Sequence, residues 1–75
     1  MIESLILVEG RNLNVETLGS VSLANAKQLV VGTVPTSGVV LHIAATSHAD
    51  LSAALLKFSK VTNVTQVVTL TLRNS

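Results

Sequence analysis

Both histidines of the chain fall in the stretch LHIAATSHADLSAALLKF, residues 41–58, where His42 and His48 stand beside Ser47 and Asp50. Two chemistries draw on such a set. A metal site takes three or four ligands held by a second layer of hydrogen bonds, and the acids in reach are only Asp50 and, across a sheet, Glu9. A Ser, His, Asp hydrolase needs its three groups to converge from separate places, whereas Ser47, His48 and Asp50 are neighbours at the start of one helix. There Ser47 and Asp50 suit the free backbone amides of the first turn. His42 then belongs on a sheet face and His48 in an exposed first turn. The reading predicts no catalytic residue, no metal ligand and no cofactor.

A second group lies at the end of the first apolar run, in Glu9, Gly10, Arg11 and Asn12. Gly10 lets a backbone come close to a ligand, Arg11 can pair with a carboxylate, and Asn12 offers both a donor and an acceptor. The same residues also make an ordinary polar turn. Gly32 to Gly38, GTVPTSG, has glycines but neither the lysine nor the strand-to-helix setting of a phosphate loop, so it reads as a hairpin connection. Lys57 and Lys60 form a small basic helix end that compensates the dipole. Leu56 stands off the apolar stripe, beside Lys60.

These groups need elements to position them. VVLHIAA, 39–45, is rich in β-formers and is joined to QLVVGTV by the turn residues Pro35 and Gly38, which makes a hairpin. After Ala45 the period lengthens to 3.6, and Leu51, Ala54, Leu55, Phe58 and Val61 share one stripe, with Asp50, Lys57 and Lys60 turned away from its centre. This predicts a helix from about His48 to Lys60, capped by Ser47 and ended at Asn63. VTQVVTLTLR then alternates, with Val64, Val68, Leu70 and Leu72 on one face and Thr65, Val67, Thr69, Thr71 and Arg73 on the other.

SLILVEG is apolar on both faces and reads as a central strand. Between Arg11 and Gln28 two readings compete. In one, Asn14 caps a helix running to about Gln28, with Val15, Leu18, Ala26 and Leu29 inward, at the cost of Gly19, Ser20, Val21 and Ser22 in its middle. In the other, NLNVETL is a strand paired with the first, and only SLANAKQ is helical. The first is favoured because it completes a βαββαβ order.

That order predicts one domain over 1–75 of α+β class: a ferredoxin-like plait, an antiparallel sheet with two helices on one face. The other face stays open. Val40, His42, Thr69 and Thr71 are expected there, with either Leu5 and Leu7 or Ile6 and Val8, as an association surface.

Composition narrows the function. A chain of 75 residues buries only about 60–65% of its unfolded surface, and with no cysteine it has neither disulfides nor thiolate zinc sites for support. Oligomerisation is the remaining aid. A net charge of +1, scattered basic residues and Phe58 as the one aromatic argue against nucleic acid as a partner. No run approaches the ~18 apolar residues of a membrane span. Met1 to Glu9 carries acids and no basic segment, unlike a secretory leader, so a cytoplasmic location is expected.

The stretch GVVLHIAATSHADLSAALLKFSKVTNVTQVVTLTLR resembles the second half of ACT and related RAM regulatory domains. They too follow an apolar strand with a capped helix, then a lysine, a small loop and Asn-Val into a last strand. NLNVETL is similar to their N-I-x-x-L phrase, although here little sequence precedes it. The aspartate often found in the second hairpin of RAM domains has no match near Gly32 to Gly38. The resemblance implies a non-enzymatic module that binds an amino acid or similar effector at a subunit interface, through Gly10, Arg11 and Asn12. A structural subunit that docks a partner by its open face or an edge strand is the alternative.

Overall fold

A computed structural model describes residues 1–34 and 38–74. The elements are β1 (Ile2–Gly10), α1 (Val15–Gly19), β2 (Ala26–Val34), β3 (Gly38–Ala45), α2 (His48–Ser59) and β4 (Val64–Asn74). The four strands form one antiparallel sheet in the order β2-β3-β1-β4. The β2–β3 register closes at Val34 and Gly38, and the turn chemistry expected at Pro35 lies outside the described residues.

β1 and β3 are the central strands, and both alternate strictly. Ile2, Ser4, Ile6 and Val8 of β1 are buried, as are Val39, Leu41, Ile43 and Ala45 of β3. Leu18 of α1 and Leu51, Ala54 and Phe58 of α2 join them in a single core, so both helices cover the same face. Fully burying an aliphatic or aromatic side chain contributes roughly 1.5–3 kcal/mol. Phe58, Ile6, Leu18, Leu41 and Ile43 are therefore the chief stabilisers.

α2 begins and ends as its sequence signals direct. The Ser47 hydroxyl accepts the Asp50 amide at 3.2 Å and donates to the Asp50 carboxylate at 3.0 Å. The Thr46 hydroxyl donates to the same carboxylate oxygen. Lys57 sits in the last turn, and Asn63 takes the left-handed conformation, φ 72°, that turns the chain into β4.

The first helix departs from both sequence readings. Asn14 does cap it, accepting the Glu16 amide at 2.9 Å, but it stops at Gly19 after five residues. Gly19, Ser20, Val21 and Ser22 are poor helix formers, and side chains satisfy the carbonyls of three of them. The Gln28 amide donates to Gly19 and Val21, and Lys57 donates to Ser22. Ala26, Lys27 and Gln28, expected in a helix, pair instead with Ala45, Ala44 and Ile43. NLNVETL is not a strand.

β4 departs from its simple alternation. Its register against β1 shifts twice: Leu5 pairs with Thr71 but Ile6 with Thr69, and Glu9 pairs with Gln66 but Gly10 with Val64. An extra residue in one strand reverses which side chains face the core beyond it. Val64 and Val67 consequently pack on the core, while Val68 stands opposite Leu7 on the far face. Leu70, at the skipped position, is exposed.

Candidate functional site

Directly paired residues of an antiparallel ladder share a face, so the register maps the side of the sheet that the helices leave open. One row across it runs Leu29, His42, Leu5, Thr71, and the next Gly32, Val40, Leu7, Val68. Beyond the first row lie Lys27, Ala44, Glu3 and Arg73; beyond the second lie Val34, Gly38, Glu9 and Gln66. The centre is an apolar band with charge at both margins. No described element covers it, and Leu29 is 66% exposed.

Val40, His42 and Thr71 therefore stand on the open face as expected, and β1 contributes Leu5 and Leu7 rather than Ile6 and Val8. Thr69 does not stand there. The shift at Leu70 pairs it with Ile6, on the side of the helices.

One margin of the open face carries most of the charged chemistry. His42 Nε2 lies 3.2 Å from Glu3 Oε1. Arg73 is the ladder partner of Glu3, yet among the described residues its guanidinium makes no ion pair, because Glu3 is turned toward His42. Glu3, Leu5, His42, Thr71 and Arg73 line a shallow cleft of about 200 Å³. An acid and a guanidinium side by side, with Leu5 and Thr71 of the same strands next to them, can hold a small zwitterion, with the carboxylate on Arg73 and the ammonium on Glu3. Glu3 and Arg73 carried no signal in the sequence. Their meeting depends on a register between the first and last strands.

The loop at Gly10, Arg11 and Asn12 has a different use. A Cβ at Gly10 would lie 2.0 Å from the Asn63 carbonyl oxygen, and the Arg11 amide donates to that oxygen at 3.1 Å. The close approach that glycine permits is thus filled by the turn between α2 and β4. Asn12 adopts φ 52°, and both the Arg11 and Asn12 side chains are exposed. Asn12 borders a cleft of about 170 Å³ between α1 and residues 61–63, to which Arg11 adds no lining.

The suspected Ser, His, Asp set does not converge. Ser47 and Asp50 hydrogen-bond to each other at the α2 cap, His48 is exposed, and His42 is on the opposite side of the sheet. Among the described residues no three His, Asp or Glu side chains gather as a metal site would require. Hydrogen bonds from Thr46 and Ser47 hold the Asp50 carboxyl below its ordinary range. Among the described residues no helix is long and apolar enough to cross a membrane. Comparison with known protein families, curated proteins and solved structures finds no match to the chain.

Proposed function

We propose that the chain is a non-enzymatic regulatory module, a ferredoxin-like plait that works as a homodimer or higher oligomer joined across its open sheet face. A small amino-acid-like effector binds at the Glu3, His42, Arg73 margin of that face. The observation that carries this reading is the uncovered apolar band formed by Leu29, Leu5, Val40, Leu7 and Val68. The βαββαβ order, with β1 and β3 central and both helices on one face, supports the plait. A band of this kind on so small a domain favours association. The charged cleft at its edge would lie at the boundary between two copies, where occupancy can bias assembly.

Equilibrium sedimentation at tens of micromolar tests the assembly: the wild type is a dimer or larger, and Leu7→Lys shifts it toward monomer. A wild type that stays monomeric overturns this reading. A thermal-shift panel of amino acids tests the effector, since a ligand at 100 times its Kd adds about 2.7 kcal/mol of stability. The responding amino acid is expected to lose its effect when amidated at the carboxylate, or when Arg73 is changed to Gln.

The outer edge of β4 favours a second reading, a protein-interaction subunit. It is an 11-residue edge strand without proline or glycine, open to strand addition by a partner. In that case an extended peptide protects the β4 amides from hydrogen exchange, and no amino acid shifts the melting temperature.

A further inference from the structure

We propose that the outer flank of α2 is a second contact surface, and that its occupant is the α2 of another copy of this chain, antiparallel and related by a two-fold axis. This surface lies on the helix side of the sheet, away from the open face, and the inference does not depend on association there.

The flank is bare because α1 is short. With α1 ended at Gly19, residues 20–25 pass beside α2 as irregular chain, leaving a groove of about 200 Å³ lined by Leu23, Ala24, Ala53 and Ala54, with Asp50, Lys57 and Lys60 also in its wall. At its rim stands Leu56, 56% exposed and outside the core. Groove and projecting leucine are thus neighbours on one surface. Ala53 and Leu56 are three positions apart and share a side of the helix. In an antiparallel pair centred between them, Leu56 of each copy falls over Ala53 of the other, and the small alanines admit close approach. One two-fold contact seats both leucines.

Charge selects the same direction. Asp50 lies at the start of α2 and Lys57 and Lys60 at its end. Antiparallel packing brings Lys60 of one copy to the Asp50 end of the other, twice, whereas parallel packing sets like charges together. The Lys57 ammonium is engaged by the Ser22 carbonyl, while Lys60 forms no ion pair among the described residues. Hydrogen bonds from Thr46 and Ser47 hold the Asp50 carboxyl below its ordinary value. Opposed helix dipoles act in the same sense. A foreign helix would need its own leucine and charges at this spacing; a second copy already has them.

A helix of 12 residues is about 18 Å long, so the contact alone falls short of the ~1,200 Å² of a stable interface. It acts as a weak join, added to any other association of the chain.

The test uses the absence of cysteine from the chain. An equimolar mixture of full chains carrying Ala53→Cys and full chains carrying Leu56→Cys, oxidised at tens of micromolar, should form the mixed disulfide-linked dimer, and neither variant alone should cross-link to the same extent. The two cysteines are kept on separate chains because positions 53 and 56 of one helix lie within disulfide reach of each other. The link should persist when Leu7→Lys is added, which separates it from the open-face contact. Leu56→Asp, at an exposed position, should keep the helical circular dichroism and weaken concentration-dependent association about tenfold, or ~1.4 kcal/mol. A mixture that cross-links no better than either variant alone overturns the proposal. So does unchanged association in Leu56→Asp. A wild type that recruits only an added acidic amphipathic peptide to this groove assigns it to a foreign helix and likewise overturns the second-copy occupant.

Discussion

The carbonyl oxygen of Asn63 lies 2.0 Å from the point where a Cβ on Gly10 would stand. The turn between α2 and β4 is therefore seated directly on the end of β1, with the Arg11 amide bonded to the same oxygen. Gly10→Ala must push this turn away, at a cost of about 3 kcal/mol, the upper range for overpacking. Gly32, also in a strand, has nothing within 4 Å of its would-be Cβ and no positive φ. Gly32→Ala is expected to be neutral or to stabilise by roughly 0.4–1 kcal/mol through the unfolded chain. Urea unfolding midpoints of the two variants should move in opposite directions or, at the least, very unequally.

Ser4 is the buried polar side chain of the core, 1% exposed, and its hydroxyl donates to the Thr71 carbonyl at 2.7 Å. The carbonyl is available because the β1–β4 register shifts there, between Leu5 and Ile6. Ser4→Ala leaves that carbonyl to solvent and costs about 1 kcal/mol. Ser4→Val, larger as well as apolar, costs more. Hydrogen exchange at the far end of β4 should quicken in both, ahead of exchange in β3.

Acid weakens the start of α2. The Asp50 carboxyl titrates below its ordinary value of 3.8, with the Thr46 hydroxyl the first cause and Ser47 the second. A depressed folded-state value means that the contribution is complete above the unfolded pKa and is lost as pH falls through the folded one. Stability measured from pH 5 downward should therefore decline below about pH 4, and the decline should be shallower in Asp50→Asn and in Thr46→Val. A slope that is identical in wild type and Asp50→Asn would remove Asp50 from the account.

Phe58 is fully buried and is the one aromatic of the chain. Phe58→Ala removes about 3–5 kcal/mol, which for a domain of this size leaves little or no folded population at 25 °C. Phe58→Leu keeps most of the volume and should fold with a loss nearer 1.5 kcal/mol. Near-complete loss of helical and sheet circular dichroism in the alanine variant, and its retention in the leucine variant, is the expected result.

The legible parts were those whose signals are local. Ser47, Asp50 and the Leu51, Ala54, Phe58 stripe place α2 to within a residue of its observed end, and VVLHIAA places β3 and the open-face residues Val40 and His42. The extent of the first helix is not legible, because Asn14 is a true cap whereas the signals that end the helix are distributed. Lys57 and Gln28, outside the segment, supply donors to the carbonyls of Gly19, Val21 and Ser22. Alternation in β4 is broken by two register shifts that leave no mark in a run of valines, threonines and leucines, so Thr69 stands on the face opposite to the one its spacing predicts. Gly10 permits a close approach, and the group that makes it belongs to the chain itself. Glu3 and Arg73 could not be joined by spacing, since only the pairing of β1 with β4 brings them together.

The central place of β1 also governs the order in which the fold can be assembled. Ser4 and its acceptor Thr71 are 67 positions apart. On a ribosome, α2 and the β2–β3 hairpin can gain structure while β1 still has one edge unsatisfied, and that edge closes only when β4 emerges. Dominance by such distant pairings slows folding and lengthens the time in which an apolar strand is available to wrong partners. A variant with its ends relocated between β2 and β3 would make the β4–β1 pairing local and the β2–β3 pairing distant; its folding rate, set against that of the natural order, tells which of the two pairings limits folding.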